Sequence, residues 1–334
     1  MLIGMKQRAL PAPPQLARGL ATSLLDLPAL ARRAGVARVL VKCEGERLLG
    51  NFKSLGGRRA GRRALEQMPK ARRLICASDG NHGLAVALAA QEAGAEARVF
   101  LPITVPESRA ARIRALGGDV VRVDSSYDVA VEMAAAAAAR GDGILIPDTA
   151  PNLDDPIVAD VMAGYRTISD ELSAQLSAHA ADPSHMFVQA GVGGLAASLA
   201  ESLAERLAHP LLTVVVEPRA CPCVGLALSA GHPVQIDGEI HSSAEMLACG
   251  LASAPAVRTL LAHSAQAIEV SEPELIAAPA VLRDGGGPAS TPSGAAGLAG
   301  LLHVADDPAR RLALGLNGMS VVLLIATEAA NPDG

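Results

Sequence analysis

The chain has 334 residues, half of them hydrophobic, with charged residues at 19% and a formal net charge of -5. It is long enough to bury a large core, as one large domain or two coupled ones, and its balanced composition excludes wholesale disorder. With no Trp, two Tyr, three Phe and no basic surplus, it lacks the stacking platforms and positive surface that nucleic acid or an anionic membrane calls for.

At the N-terminus, Lys6, Arg8 and the prolines from Pro11 to Pro14 break up any signal-peptide core, and the five cysteines (Cys43, Cys76, Cys221, Cys223, Cys249) do not make a disulfide framework. Cytoplasmic residence is therefore expected, and no stretch is apolar for long enough to span a membrane. Next comes Gly50-Asn51-Phe52-Lys53-Ser54-Leu55-Gly56-Gly57, a lone Lys between an aromatic and small residues. Desolvation there would lower its pKa and make it a nucleophile toward an aldehyde; a helix-start Lys facing solvent fits the same segment.

From about Arg73 to Ile146, strand-like runs (RLICA, ARVFL, DVVRV, GILI) alternate with helical runs (NHGLAVALAAQEAG, PESRAARIRALG, SYDVAVEMAAAAAAR), the pattern of a parallel sheet flanked by helices. Gly94, Gly117 and Gly141 sit where left-handed helix caps are expected. Ser78-Asp79-Gly80-Asn81-His82-Gly83 joins a strand to a helix, so its backbone N–H groups suit an anion such as a carboxylate. An acid, Asp79, at an anion site points to proton transfer as a second task, with helix capping as the plainer alternative. Asp148, in PDTA, ends the last of these strands.

A second α/β block follows the Asp-Pro-rich stretch Pro151 to Pro156: a long helix near Ile157 to Leu176, the strand HMFVQA, a helix from Leu195 and the strand LLTVVVEP. Gln189-Ala190-Gly191-Val192-Gly193-Gly194-Leu195 has glycines placed for backbone approach to a phosphate. Glu217 could imitate the ribose-binding acid of a dinucleotide fold, although the glycine spacing fits that fingerprint only in part. The remainder holds the strand AQAIEV, a helix near Glu272 to Leu282, the turn GGGPASTPSG, a helix from Ala295 and the strand SVVLLIATE with Thr327 at its end. Ends of parallel strands are where α/β proteins place ligands, and a turn or capping role remains open for Asp148 and Thr327.

Taken in order, NFKSLGG, ASDGNHG, PDTA, QAGVGGL, VVEP and a last strand leading to ATE resemble the type II pyridoxal-phosphate lyases, the superfamily of serine/threonine dehydratases and the tryptophan synthase β-subunit. Within it the chain is most similar to the diaminopropionate ammonia-lyases, through Asp79 and PDTA. The resemblance runs from about Leu24 to Glu328. It implies a two-domain type II fold, with 1–72 and 151–334 as the large cofactor-binding domain and 73–150 as a small mobile one, usually in a homodimer.

The cofactor implied is pyridoxal 5'-phosphate, held by Lys53 as a Schiff base, with no metal. By the same resemblance, Gly191, Val192, Gly193, Gly194 and Leu195 hold its phosphate, Asn81 meets its phenolic oxygen and Thr327 faces its pyridine nitrogen. Ser78, Asp79, Gly80, Asn81 and His82 receive the substrate carboxylate. Asp79 and Asp148 take the α-proton from substrates of opposite configuration, and the reaction is β-elimination of 2,3-diaminopropionate to pyruvate and ammonia.

Three departures stand out. Thr291-Pro292-Ser293-Gly294 replaces a Gly-Glu-Ser-Gly turn, removing a Glu near the cofactor; Pro151 stands where a Trp follows PDTA; and the chain is shorter. They leave open a serine/threonine-type dehydratase, a β-replacement synthase, or a cofactor-binding protein without turnover. Cys223 and Cys249 lie where the ammonia-lyases have a Cys pair able to link, two thiols being the expectation in a reducing cytosol.

Overall fold

The structure is a computed structural model that describes residues 21–330 apart from 126 and 239. The stretch from Lys6 to Pro14 lies outside the described residues. The elements are β1 (Leu24–Asp26), α1 (Pro28–Ala34), β2 (Arg38–Cys43), α2 (Lys53–Gln67), β3 (Arg73–Ala77), α3 (Asn81–Glu92), β4 (Glu96–Pro102), α4 (Glu107–Ala115), β5 (Gly118–Val123), α5 (Tyr127–Ala139) and β6 (Ile144–Leu145). There follow α6 (Pro156–Ala178), β7 (His185–Gln189), α7 (Gly194–Ala204), β8 (Leu212–Pro218), α8 (Cys223–Ala230), α9 (Ala254–Ala262), β9 (Gln266–Val270), α10 (Glu272–Asp284), α11 (Pro292–Ala305), α12 (Pro308–Leu314) and β10 (Val321–Ala326).

The strands form two sheets. One has six strands in the order β1-β2-β10-β7-β8-β9, parallel except for β1; the other has four parallel strands in the order β5-β4-β3-β6. Parallel strands are covered on both faces by their crossover helices, and so β7 is buried along its whole length. Both sheets reverse their winding once, between β10 and β7 and between β3 and β6. At such switch points the loops leaving the strands diverge and open a crevice.

The strand-helix alternation is observed as the sequence predicts, and Gly94, Gly117 and Gly141 are all left-handed, with φ of 64°, 82° and 85°. Some boundaries differ. The strand expected over GILI shortens to Ile144–Leu145, so Asp148 stands three residues beyond it on a loop. The helix expected from Ala295 starts at Pro292, because Pro suits a first turn and the Thr291 side chain accepts the N–H of Gly294. Strands β1 and β2 and helices α1, α8, α9 and α12 were not anticipated; the helices are short, at seven to nine residues. Among the described residues no helix is long and apolar enough to cross a membrane.

Candidate active site

Loops from both switch points face one cavity, lined among others by Lys53, Asp79, Asn81, Asp148, Gly193 and Thr327. Lys53 opens α2, and its position is fixed from two sides. Phe52 N–H donates to Thr327 O at 3.1 Å, and Ser54 Oγ donates to Asn51 O at 2.9 Å. The side chain is 20% exposed and lines the cavity, and its amine donates to Asp148 Oδ2 at 2.5 Å. Burial works to lower its pKa, as the sequence led us to expect, but the Asp148 carboxylate more than offsets this and the net shift is upward. The expected depression is thus corrected: without an aldehyde partner Lys53 is a paired ammonium.

The two acids titrate apart. Asp148 is opposed by burial, yet the Lys53 charge holds it at about 2. For Asp79, burial and then the Asp148 charge push the pKa up to about 7, against Arg109 and Lys53. One carboxylate stays ionised, while the other exchanges its proton near neutrality.

The turn carrying Asp79 is rigid. Ser78 Oγ accepts the N–H of Gly80 at 2.9 Å and of Gly83 at 2.8 Å, and Gly80 has φ of 141°. His82 Nε2 lies 2.8 Å from Ile146 O; because a carbonyl can only accept, Nε2 carries the proton, and burial keeps the ring neutral. The Ser78 and His82 side chains therefore brace the turn, leaving backbone N–H groups at the start of α3 to meet an anion.

After β7, the loop Gly191–Gly194 leads into α7, whose first N–H groups have no partner within the helix. A side chain would fill this loop: a Cβ on Gly191 would stand 3.0 Å from Cys249 Sγ, and one on Gly193, where φ is 92°, would stand 3.2 Å from Ala256 Cβ. Such a bare backbone nest at a helix start suits a phosphate. Across the cavity, Gln189 Nε2 shares its two protons among four acceptors within reach, the carbonyls of Ser293, Gly294 and Ile325 and, at 2.9 Å, Thr327 Oγ1. Carbonyls accept only, so the amide orientation is fixed and Thr327 retains its own proton for a ligand. A lysine amine at the cavity, a bare backbone nest and neutral donors thus fit pyridoxal phosphate.

Three features escaped the sequence reading. Tyr165, on α6, reaches the cavity and packs its ring against Phe52 with centroids 5.0 Å apart; nothing in its helical run marked it out. Gln189 was read only as the strand end that opens the glycine-rich run, with no role of its own. Glu328 accepts from Asn81 Nδ2 and Thr291 Oγ1, each at 2.5 Å, which puts an acid beside the turn that had lost its Glu; its place directly after Thr327 was the available signal. Glu217, the imitation ribose acid, instead accepts the N–H groups of Val224 and Gly225 at 2.8 and 2.7 Å and lies outside the cavity. All five cysteines are free, with Cys223 Sγ donating to Gly191 O at 3.2 Å.

The comparisons with known proteins agree with this chemistry. Residues 18–328 match the family described as pyridoxal-phosphate dependent enzyme. The chain is 31% identical over 333 residues to the diaminopropionate ammonia-lyase of Escherichia coli (strain K12), covering 92% of this chain and 84% of that protein. It is 34% identical over 218 residues to a biosynthetic chloroplastic threonine dehydratase of Solanum lycopersicum, covering 65% of this chain and 34% of that one. The crystal structure of the Escherichia coli ammonia-lyase, in complex with an aminoacrylate-PLP azomethine reaction intermediate, superimposes with a TM-score of 0.83 at 29% identity, over 94% of this chain and 86% of that one. Site and similarity together show that this chain belongs to the pyridoxal-phosphate dependent enzymes.

Proposed function

We propose that the protein is an ammonia-lyase that eliminates the β-amino group of 2,3-diaminopropionate, giving pyruvate and ammonia. The observation that carries this reading is the pair of acids, Asp79 at about 7 and Asp148 at about 2, facing the same cavity as Lys53. A dehydratase acting on hydroxy-amino acids needs only one base and leaves Asp79 without a task.

Pyridoxal phosphate, when bound, supplies the electron sink that acidifies the substrate's α-proton and allows a β-substituent to leave. Lys53 anchors it covalently, the 191–195 backbone holds its phosphate, and Asn81 donates to its phenolic oxygen. Thr327 would donate to the ring nitrogen through a neutral hydroxyl, which carries no charge to hold that nitrogen protonated. Within the 78–82 turn the N–H groups of Ser78 and Gly80 are already engaged, by Phe100 O and Ser78 Oγ, and those of Asp79, Asn81 and His82 receive the substrate carboxylate and orient the α-proton. Asp79 and Asp148 approach from different elements and serve as bases for substrates of opposite configuration. The 2-aminoacrylate released hydrolyses to pyruvate and a second ammonia.

In this reading 73–150 is a small mobile domain, 1–72 with 151–334 the large one, and the protein a cytoplasmic homodimer. Incubation with D- and L-diaminopropionate, serine and threonine tests the assignment. Pyruvate with two ammonia per turnover from diaminopropionate is the expected result; turnover of serine or threonine but of neither diaminopropionate enantiomer would replace it with the dehydratase reading.

A further inference from the structure

Asn81 is an amide whose oxygen and nitrogen differ only in what they can bond, so its use depends on which way it is held. Two neighbours decide this independently. Asn51 Nδ2 donates to Leu49 O and to Asn81 Oδ1, both at 3.1 Å, and the carbonyl partner fixes which end of Asn51 is the nitrogen. On the other side, Asn81 Nδ2 donates to Glu328 Oε2 at 2.5 Å. A carboxylate only accepts, so the amide nitrogen must face it. That nitrogen keeps one further proton, and Asn81 lines the cavity.

Glu328 is itself held by three contacts from two segments of the chain. Its backbone bridges to Asn51, two residues before Lys53; Ser290 Oγ donates to its carbonyl at 2.7 Å; and Thr291 Oγ1, which accepts from Gly294 N, gives its single proton to Glu328 Oε1 at 2.5 Å. Burial raises the pKa of this carboxyl, against its bonds to Thr291 and Asn81 and the charges of Arg109 and Arg112.

We propose that Glu328 is a positioning residue, which acts through Asn81 by holding the amide N–H toward the cofactor's phenolic oxygen. This rests on the reading of Asn81 given above. A Gln at 328 would keep the shape, but with Thr291 still donating to its oxygen its own N–H group would face Asn81 Nδ2, setting two donors against each other and displacing the amide from the cofactor.

The test compares Glu328→Gln, Asn81→Ala and the double variant in the 334-residue chain. Pyridoxal phosphate is titrated into cofactor-stripped protein, and the visible spectrum of each reconstituted holoenzyme is recorded. The expected result is an affinity loss of about tenfold for Glu328→Gln, a spectral change like that of Asn81→Ala, and a double variant no worse than Asn81→Ala alone. Glu328→Asp, still acceptor-only, should keep most of the parental spectrum and serves if the Gln variant folds poorly.

Parental affinity and spectrum in Glu328→Gln beside altered ones in Asn81→Ala would overturn the positioning role while leaving Asn81 in place. Losses that simply add in the double variant would overturn it as well. If Asn81→Ala itself matched the parent, the Asn81 reading would fail and take this proposal with it.

Discussion

Asp79 and Asp148 are the same side chain in two electrostatic settings, and the difference gives each a separate signature in solution. Only the ionised form of a base removes a proton. For the enantiomer served by Asp79, whose pKa is raised by burial to about 7, kcat/KM should fall about tenfold per pH unit below that value. Asp148, held low by the charge at Lys53 in spite of its burial, imposes no such limb on the other enantiomer while position 53 stays charged. The ratio of the two rates should therefore change with pH, and parallel acid limbs would contradict the division of labour. In the same assays, Asp79→Asn should lose activity mainly toward one enantiomer and Asp148→Asn mainly toward the other, each by about a hundredfold.

The helix that carries Lys53 is held by close backbone approach. A Cβ on Gly56 would come within 2.6 Å of the Tyr165 ring and 2.7 Å of Val161 O, and a Cβ on Gly164 within 2.6 Å of Leu55 O, so α2 and α6 touch where each has a glycine. Gly56→Ala should lower the free energy of unfolding by roughly 1–3 kcal/mol, read from the denaturant midpoint of the cofactor-free protein. The start of α7 behaves differently. A Cβ on Gly194 would meet only Met162 and Tyr165, at 3.8 and 3.9 Å, which is ordinary contact, whereas Gly193 is hemmed in and left-handed. Gly194→Asp should accordingly leave the fold intact and place a carboxylate at the phosphate nest. Pyridoxal phosphate titrations are expected to show affinity reduced by at least about tenfold; parental affinity would move the phosphate elsewhere.

Over the whole molecule, the two sheets present their switch points to one cavity; Lys53–Asp148 and Asn81–Glu328 tie the 73–150 segment to the rest inside it, and an exposed pair does so at its rim. Arg109, on α4, donates to Glu245 Oε2 at 2.5 Å, with the acid 57% exposed. An exposed ion pair contributes about 0–1 kcal/mol, so it biases the approach of the 73–150 segment without locking it. On the proposed two-domain reading, Arg109→Ala should leave the melting temperature almost unchanged while speeding amide exchange over 96–123. Uniform protection in parent and variant would count against a mobile small domain.

The sequence by itself determined the alternation of strands and helices, the glycine caps and the order of the site motifs, because hydrophobic period, turn chemistry and strand-end loops are local properties written in neighbouring residues. Lys53, Asp79, Asn81, Asp148, Thr327 and the glycine loop could be picked out for the same reason: each lies at a helix start or within a few residues after a strand. Tertiary structure alone decided what those residues do to one another. The Lys53 amine is raised rather than lowered because Asp148, far away in sequence, lies 2.5 Å from it. Glu217 leaves the site because the turn at Val224 and Gly225 folds back onto it. Glu328 enters because β10 ends beside the segment holding Asn51 and the turn holding Thr291. Charge coupling and hydrogen-bond orientation depend on distances between segments that are not neighbours in the chain, and only the packing of the two sheets around α2 sets those distances.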